Sequence, residues 1–136
     1  MSRAFRLVGA AIMLGSSVLA VTAARAIELT GAWATQTDLC SQVFTKKDNR
    51  VVYAELSDLF GSGFIIDGAR IRGKTGTCTI KSRKEEGNSL ELSAACASSV
   101  MTQDLRFSLK IIDDNNISRS FPEISGMSLN YTRCKL

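Results

Sequence analysis

Residues 77–97 read TCTIKSRKEEGNSLELSAACA. Two runs of alternating polar and apolar residues flank a turn-forming segment at residues 85–89, which is typical of an antiparallel β-hairpin. If Cys78 lies opposite Cys96, then Ile80 faces Ala94 on the same side of the sheet. One register therefore gives both a cross-strand disulfide and an apolar inner face.

The same register predicts how the hairpin continues towards its turn. Ser82 is expected opposite Leu92 on the inner side. Arg83 is expected opposite Glu91 on the outer side, where the two side chains would form a cross-strand ion pair.

Short alternating runs separated by turn residues continue on both sides of this hairpin. We predict a short helix at residues 38–44. The turns recur about every 8–12 residues, which is typical of an antiparallel barrel or sandwich. We predict an all-β fold, a small up-and-down barrel of about eight strands, because closure removes exposed sheet edges. The predicted strands are residues 29–33, 50–55, 64–66, 69–72, 77–83, 89–97, 104–112, 117–121 and 127–134.

The chain has four cysteines and no histidine. Four cysteines allow three disulfide connectivities, which the sequence alone does not distinguish. We expect Cys78–Cys96 from the hairpin register, and this choice leaves Cys40–Cys134 as a bond between the start and the end of the domain. A metal or redox site would need closely spaced thiols or imidazoles, so we predict structural disulfides, no metal and no cofactor.

Residues 1–26 have the parts of a secretory signal peptide. A basic start is followed by an apolar run at residues 7–23 and by Ala-Arg-Ala at residues 24–26. The alternative is a retained membrane anchor, because the run approaches the length that spans a bilayer. Glycines and serines lower the hydrophobicity of the run, and the small residues at positions 24 and 26 favour cleavage after Ala26. We predict a single domain at residues 27–136, periplasmic or secreted, with no membrane span after cleavage.

Loss of the signal peptide changes the charge of the protein. Three of the 17 Lys plus Arg residues leave with it, so 14 remain against 13 Asp plus Glu, a net charge of +1. No basic excess remains to neutralise phosphates, which argues against nucleic acid as a partner. The absence of histidine removes the commonest general base, and no other spacing singles out a catalytic pair, so we do not predict an enzyme.

The first predicted strand contains Gly31-x-Trp33. This pattern resembles the G-x-W start of calycin-type barrels, the lipocalins and their relatives, and is similar to small exported bacterial β-barrel proteins. In that family the Trp closes one barrel end beneath an Arg from near the last strand, and the resemblance gives this role to Arg133. True lipocalins are longer and carry a helix before the final strand. The alternative is that Trp33 is only a core aromatic residue.

Residues 56–63, LSDLFGSG, are the first candidate binding surface. They combine large apolar side chains with a Gly-Ser-Gly hinge. One interpretation is that Gly61 and Gly63 allow Leu59 and Phe60 to be presented to a partner on a mobile loop. The other is that both side chains turn inward and plug the barrel end.

A basic stripe is the second candidate surface. Arg70, Arg72 and Lys74 alternate along one face, and Lys81 and Arg83 are expected beside them on the next strand. Such a stripe would meet an acidic protein or an anionic envelope component. The alternative is a solvated outer face.

Our leading hypothesis is a non-enzymatic binding module whose partner is another protein or an anionic envelope component, with inhibition of a cell-wall hydrolase or protease as its most specific form. The alternatives are a carrier of a small apolar ligand and a structural envelope protein without a discrete site. Bulky inward residues are expected to fill so small a barrel, which argues against a large cavity: Ile71, Leu92, Phe107, Leu109 and Ile111.

Overall fold

Antiparallel strands make up most of residues 28–136, the part of the chain that the computed structural model describes. The signal peptide predicted for residues 1–26 lies outside the described residues. Within residues 28–136 the strands and the single α-helix are β1 (Gly31–Ala34), α1 (Cys40–Val43), β2 (Phe44–Lys47), β3 (Arg50–Tyr53), β4 (Gly63–Asp67), β5 (Arg70–Arg72), β6 (Gly76–Glu86), β7 (Ser89–Ser98), β8 (Thr102–Asp113), β9 (Asn116–Ser120) and β10 (Ser128–Arg133).

Eight of these strands close into an antiparallel barrel in the order β1-β10-β9-β8-β7-β6-β5-β4. The barrel closes where β1 pairs with β10 on one side and with β4 on the other. Strands β2 and β3 form a separate hairpin between β1 and β4 in the chain. The predicted all-β barrel and both disulfides, Cys40–Cys134 and Cys78–Cys96, are confirmed.

The β6–β7 hairpin follows the predicted register in the half that lies away from its turn, where Cys78 pairs with Cys96 and Ile80 with Ala94. Past Ile80, a β-bulge shifts the register by one residue. The predicted Ser82–Leu92 and Arg83–Glu91 pairs are therefore wrong.

The bulge has a simple geometric cause. The two-residue turn at residues 87–88 places Glu86 opposite Ser89, and counting outward from that pair would leave the two cysteines out of step by one residue. The extra residue Lys81 absorbs the difference. As a result Arg83 lies opposite Leu92 on the inner side, where it pairs with Glu85 on its own strand.

Two apolar layers share the β1–β4 wall of the barrel. Alternation along each strand sends one set of side chains inside the barrel, including Trp33, Leu92 and Ile117, which are fully buried. A second cluster fills the space between the outer face of this wall and the segment containing α1, β2 and β3: Ala32, Ala34, Cys40, Val43, Phe44 and Ile65.

The predicted helix at residues 38–44 is present as a 3-10 turn (Thr37–Leu39) that runs into α1. Strand β2 was not predicted, because its lysines and exposed positions lack an alternating apolar pattern. A second 3-10 turn (Ser57–Phe60) precedes β4. Within residues 28–136, none of the helices has the length and apolar character needed to cross a membrane.

Candidate functional site

One end of the barrel is closed by Trp33 and Arg133. The Arg133 guanidinium carbon lies 4.4 Å from the centroid of the buried Trp33 ring. The same guanidinium donates hydrogen bonds to the backbone carbonyls of Glu28, Thr30 and Asp114. The stack that the G-x-W resemblance implies is therefore present, and it ties the first strand to the last.

Gly31 makes room for this arrangement. Its φ angle is +147°, and a Cβ atom here would lie 3.0 Å from Arg133 Nη1. A side chain at this position would push against the guanidinium as well as strain the backbone. The glycine of the Gly31-x-Trp33 pattern therefore serves the Arg133 stack.

The rest of the barrel interior holds a cavity of about 420 Å³ that opens at the opposite end. The bulky residues expected to fill the barrel are buried in its interior, and several of them also border the cavity: Ile71, Leu92, Phe107 and Leu109. The cavity remains because the strands carry small residues at the open end: Gly63, Gly76, Thr77, Ala97 and Ser98. An eight-stranded barrel is just wide enough to be filled by its side chains or to hold one small ligand.

Apolar groups dominate the cavity wall. Phe64 and Tyr131 pack edge to face with ring centroids 4.8 Å apart, and the Cys78–Cys96 disulfide also lines the cavity. Of the described residues that line it, Arg119 alone carries a formal charge.

Arg119 was not singled out from the sequence. Its guanidinium carbon lies 4.5 Å from the ring centroids of both Phe107 and Phe121. The Nε atom is buried, and Arg119 has no hydrogen-bond or ion-pair partner among residues 28–136. The signal was present in the pattern of β9, where Ile117 and Arg119 share the face that points inward.

Exposed apolar side chains surround the open end. They lie in the β7–β8 turn, in the β9–β10 loop and in the segment before β4, and all three connections reach this end of the barrel. Six of the eight large apolar side chains exposed in the described part of the chain are in these connections: Leu56, Leu59, Val100, Met101, Ile124 and Met127. We call this set the apolar rim.

In the candidate loop at residues 56–63, Leu59 fits the interpretation of an exposed binding surface, and Phe60 fits the interpretation of an inward-packing side chain. Leu59 is 72% exposed and belongs to the apolar rim. Phe60 packs against the second apolar cluster instead. A Cβ atom on Gly63 would lie 2.8 Å from Phe44 Cζ, so this glycine serves packing, whereas Gly61 has a φ angle of +114° that the turn requires.

The basic stripe is shorter than predicted. Arg70 is exposed on β5, but Arg72 is half-buried and donates a 3.0 Å hydrogen bond from Nη2 to the Val51 carbonyl. Lys74 pairs with Asp58, which joins the β5–β6 turn to the apolar rim segment. Arg83 is on the inner side of β6, so it does not extend the stripe as predicted.

Tyr53 fastens the β2–β3 hairpin to the barrel near its open end. Its hydroxyl lies 2.9 Å from the carbonyl oxygen of Gly63 and 3.0 Å from that of Arg72, and its single O–H is shared between these two acceptors. Burial raises the pKa of Tyr53 to about 12, partly offset by the nearby positive charge of Arg72.

We compared the chain with known proteins. No protein-family model, curated protein or solved structure matches it. The described residues contain no group of three or more Cys, Asp or Glu side chains placed to hold a metal ion, and both pairs of cysteines are disulfide-bonded.

Proposed function

We propose that the protein binds a small, largely apolar molecule inside the barrel. The observation that carries this proposal is the 420 Å³ cavity, which opens at one end and has a mostly apolar wall. Small-molecule sites are typically concave and mostly apolar, with volumes of about 300–1,000 Å³. The resemblance of Gly31-x-Trp33 to calycin-type barrels supports the same function.

The difference between the closed and the open end of the barrel also supports this function. Arg133 and Trp33 close one end with a stack and several hydrogen bonds. At the other end the apolar rim surrounds the entrance, where an apolar ligand leaving a membrane or a micelle would first make contact. A ligand would therefore enter through the rim and stop against the closed end.

The two disulfides support a role outside the reducing cytosol, because such bonds persist in oxidising compartments. Together with the signal-like residues 1–26, they support export to the periplasm or beyond. The protein would then bind its ligand in the extracytoplasmic space as a carrier or scavenger, without catalysing a reaction.

Titration with a neutral apolar fluorophore, N-phenyl-1-naphthylamine, tests the proposal. The purified protein with both disulfides formed is expected to bind one equivalent saturably. Leu105→Trp adds bulk to the cavity wall and is expected to weaken binding about tenfold, since overfilling a packed space is costly. Ile112→Trp is the matched control, because Ile112 is exposed near the closed end. Absent binding, or equal binding by both variants, would refute the proposal.

The exposure of Leu59 favours a second candidate, recognition of another protein through the apolar rim. In its most specific form the rim would inhibit a cell-wall hydrolase or protease. Inhibition that is lost on Leu59→Ser while fluorophore binding is retained would support this second role and separate it from ligand binding in the cavity.

A further inference from the structure

The positive charge of Arg119 in the cavity wall indicates a narrower class of ligand, an inference that rests on the proposed function. Two arginines of the barrel stack on aromatic rings. Arg133, at the closed end, also donates to three backbone carbonyls. Arg119, near the open end, stacks on Phe107 and Phe121 but has no hydrogen-bond or ion-pair partner among residues 28–136. The two guanidinium groups thus differ in whether their donors are satisfied.

An unpaired guanidinium in an apolar wall is costly. Its Nε–H is buried without an acceptor in the described part of the chain, and buried donors in folded proteins are almost always paired. Stacking on the two phenylalanine rings stabilises the cation but satisfies no N–H donor. A negatively charged hydrogen-bond acceptor would satisfy the N–H donor of Arg119 and balance its positive charge.

The geometry also limits the shape of that acceptor. Ring stacking engages the faces of the planar guanidinium, whereas its N–H donors point outward from the edge. A carboxylate matches this edge with two parallel hydrogen bonds. Gln103, which also lines the cavity, adds a neutral polar group, and no Asp or Glu competes for Arg119 among the described lining residues.

We propose that the ligand is an amphiphile with a single carboxylate, whose head group pairs with Arg119 and whose apolar tail occupies the cavity between Phe64, Leu92 and Tyr131. Entry through the apolar rim leaves the carboxylate near the open end. The tail then points towards the closed end, where the Arg133 donors are already taken.

Decanoic acid and decan-1-ol test this proposal, because they share a chain length and differ in the head group. The affinity of each compound is measured at pH 7 from its ability to displace the neutral fluorophore from the purified, disulfide-bonded protein. We expect wild type to bind decanoate at least about tenfold more tightly than decanol, the effect of hydrogen bonds to a charged group. We expect Arg119→Met to lose this preference while it retains decanol binding.

Arg106→Met is the matched control, since its side chain is 75% exposed on the outer surface of β8, and it should keep the preference. Arg119→Gln is a second variant that retains a planar polar group without charge, and it too should lose the preference. Equal binding of decanoate and decanol by wild type, or a preference that survives both Arg119 variants, would overturn the carboxylate assignment and leave the cavity function standing. Failure of wild type to bind the fluorophore and both competitors would overturn the proposed function itself.

Discussion

Arg133 covers the ring of Trp33, with its guanidinium carbon 4.4 Å from the ring centroid. The guanidinium also donates to backbone carbonyls of residues 28, 30 and 114, which belong to the beginning of the domain and to the β8–β9 turn. One side chain therefore joins segments that are about a hundred residues apart, and it protects the indole from solvent.

Replacing Arg133 by Lys should lower the free energy of unfolding by about 1–3 kcal/mol. Lysine keeps the charge but loses the planar stack and most of the hydrogen bonds. Urea unfolding followed by the fluorescence of Trp33, the single tryptophan, measures this change. Arg106→Lys is the control on the outer surface and should shift stability by less than about 0.5 kcal/mol. Equal stability of the two variants would mean that the stack contributes little.

Leu59 and Phe60 should respond differently to the same substitution. Phe60→Ser is expected to cost about 1–3 kcal/mol, because the ring packs against the cluster beneath α1 and β2. Leu59→Ser should change the stability by less than about 0.5 kcal/mol, since its side chain lies in solvent. Thermal unfolding of the two variants provides the comparison. A large loss for Leu59→Ser would show that this residue belongs to the core.

Stability should fall above about pH 10. Burial raises the folded pKa of Tyr53 to about 12 from an ordinary value of 10, so the folded state holds this proton more tightly than the unfolded chain does. The contribution is complete below pH 10 and is lost as the pH rises towards 12. Urea unfolding at several pH values should show this decline, and Tyr53→Phe should make it shallower.

Tyr53→Phe has a second expected effect at neutral pH. Loss of the hydroxyl leaves the carbonyls of Gly63 and Arg72 without this donor, which should cost about 1 kcal/mol. If the free energy of unfolding of the variant falls above pH 10 as steeply as that of the wild type, the pH dependence comes from the lysines and not from Tyr53.

The two disulfides should contribute unequally to stability. Cys40–Cys134 joins residues 94 apart and Cys78–Cys96 residues 18 apart. Each disulfide restricts the unfolded chain, and the longer loop is restricted more. Replacing both cysteines by alanine is therefore expected to lower the free energy of unfolding by about 4–5 kcal/mol for Cys40–Cys134 and by about 3 kcal/mol for Cys78–Cys96. Equilibrium unfolding of the two double variants measures the difference. A reversed order would show that contacts in the folded state, rather than chain entropy, dominate.

The sequence predicted the register best where covalent and apolar constraints coincide. Cys78, Cys96, Ile80 and Ala94 share one face, and only one pairing satisfies all four. Past Ile80 the register depends on the length of the turn, which the alternation pattern does not report. A bulge at Lys81 was therefore invisible in the sequence.

The cavity was missed for a different reason. Counting inward residues gives the amount of apolar volume but not its distribution along the barrel axis. Small residues such as Gly76 and Ala97 lie together at the open end, because the β6–β7 register pairs Gly76 with Ser98 and Thr77 with Ala97. Arg119 was overlooked because charged residues on a strand are normally assigned to the outer face.

The Cys40–Cys134 bond has a consequence for the response of the protein to proteolysis. It converts residues 40–134 into a covalent ring that contains all the barrel strands except β1. A single protease cut in that ring, including one in the exposed connections around the open end, releases no fragment. The cleaved chain remains one molecule, with β1 still attached through Cys40, and the barrel strands can stay paired.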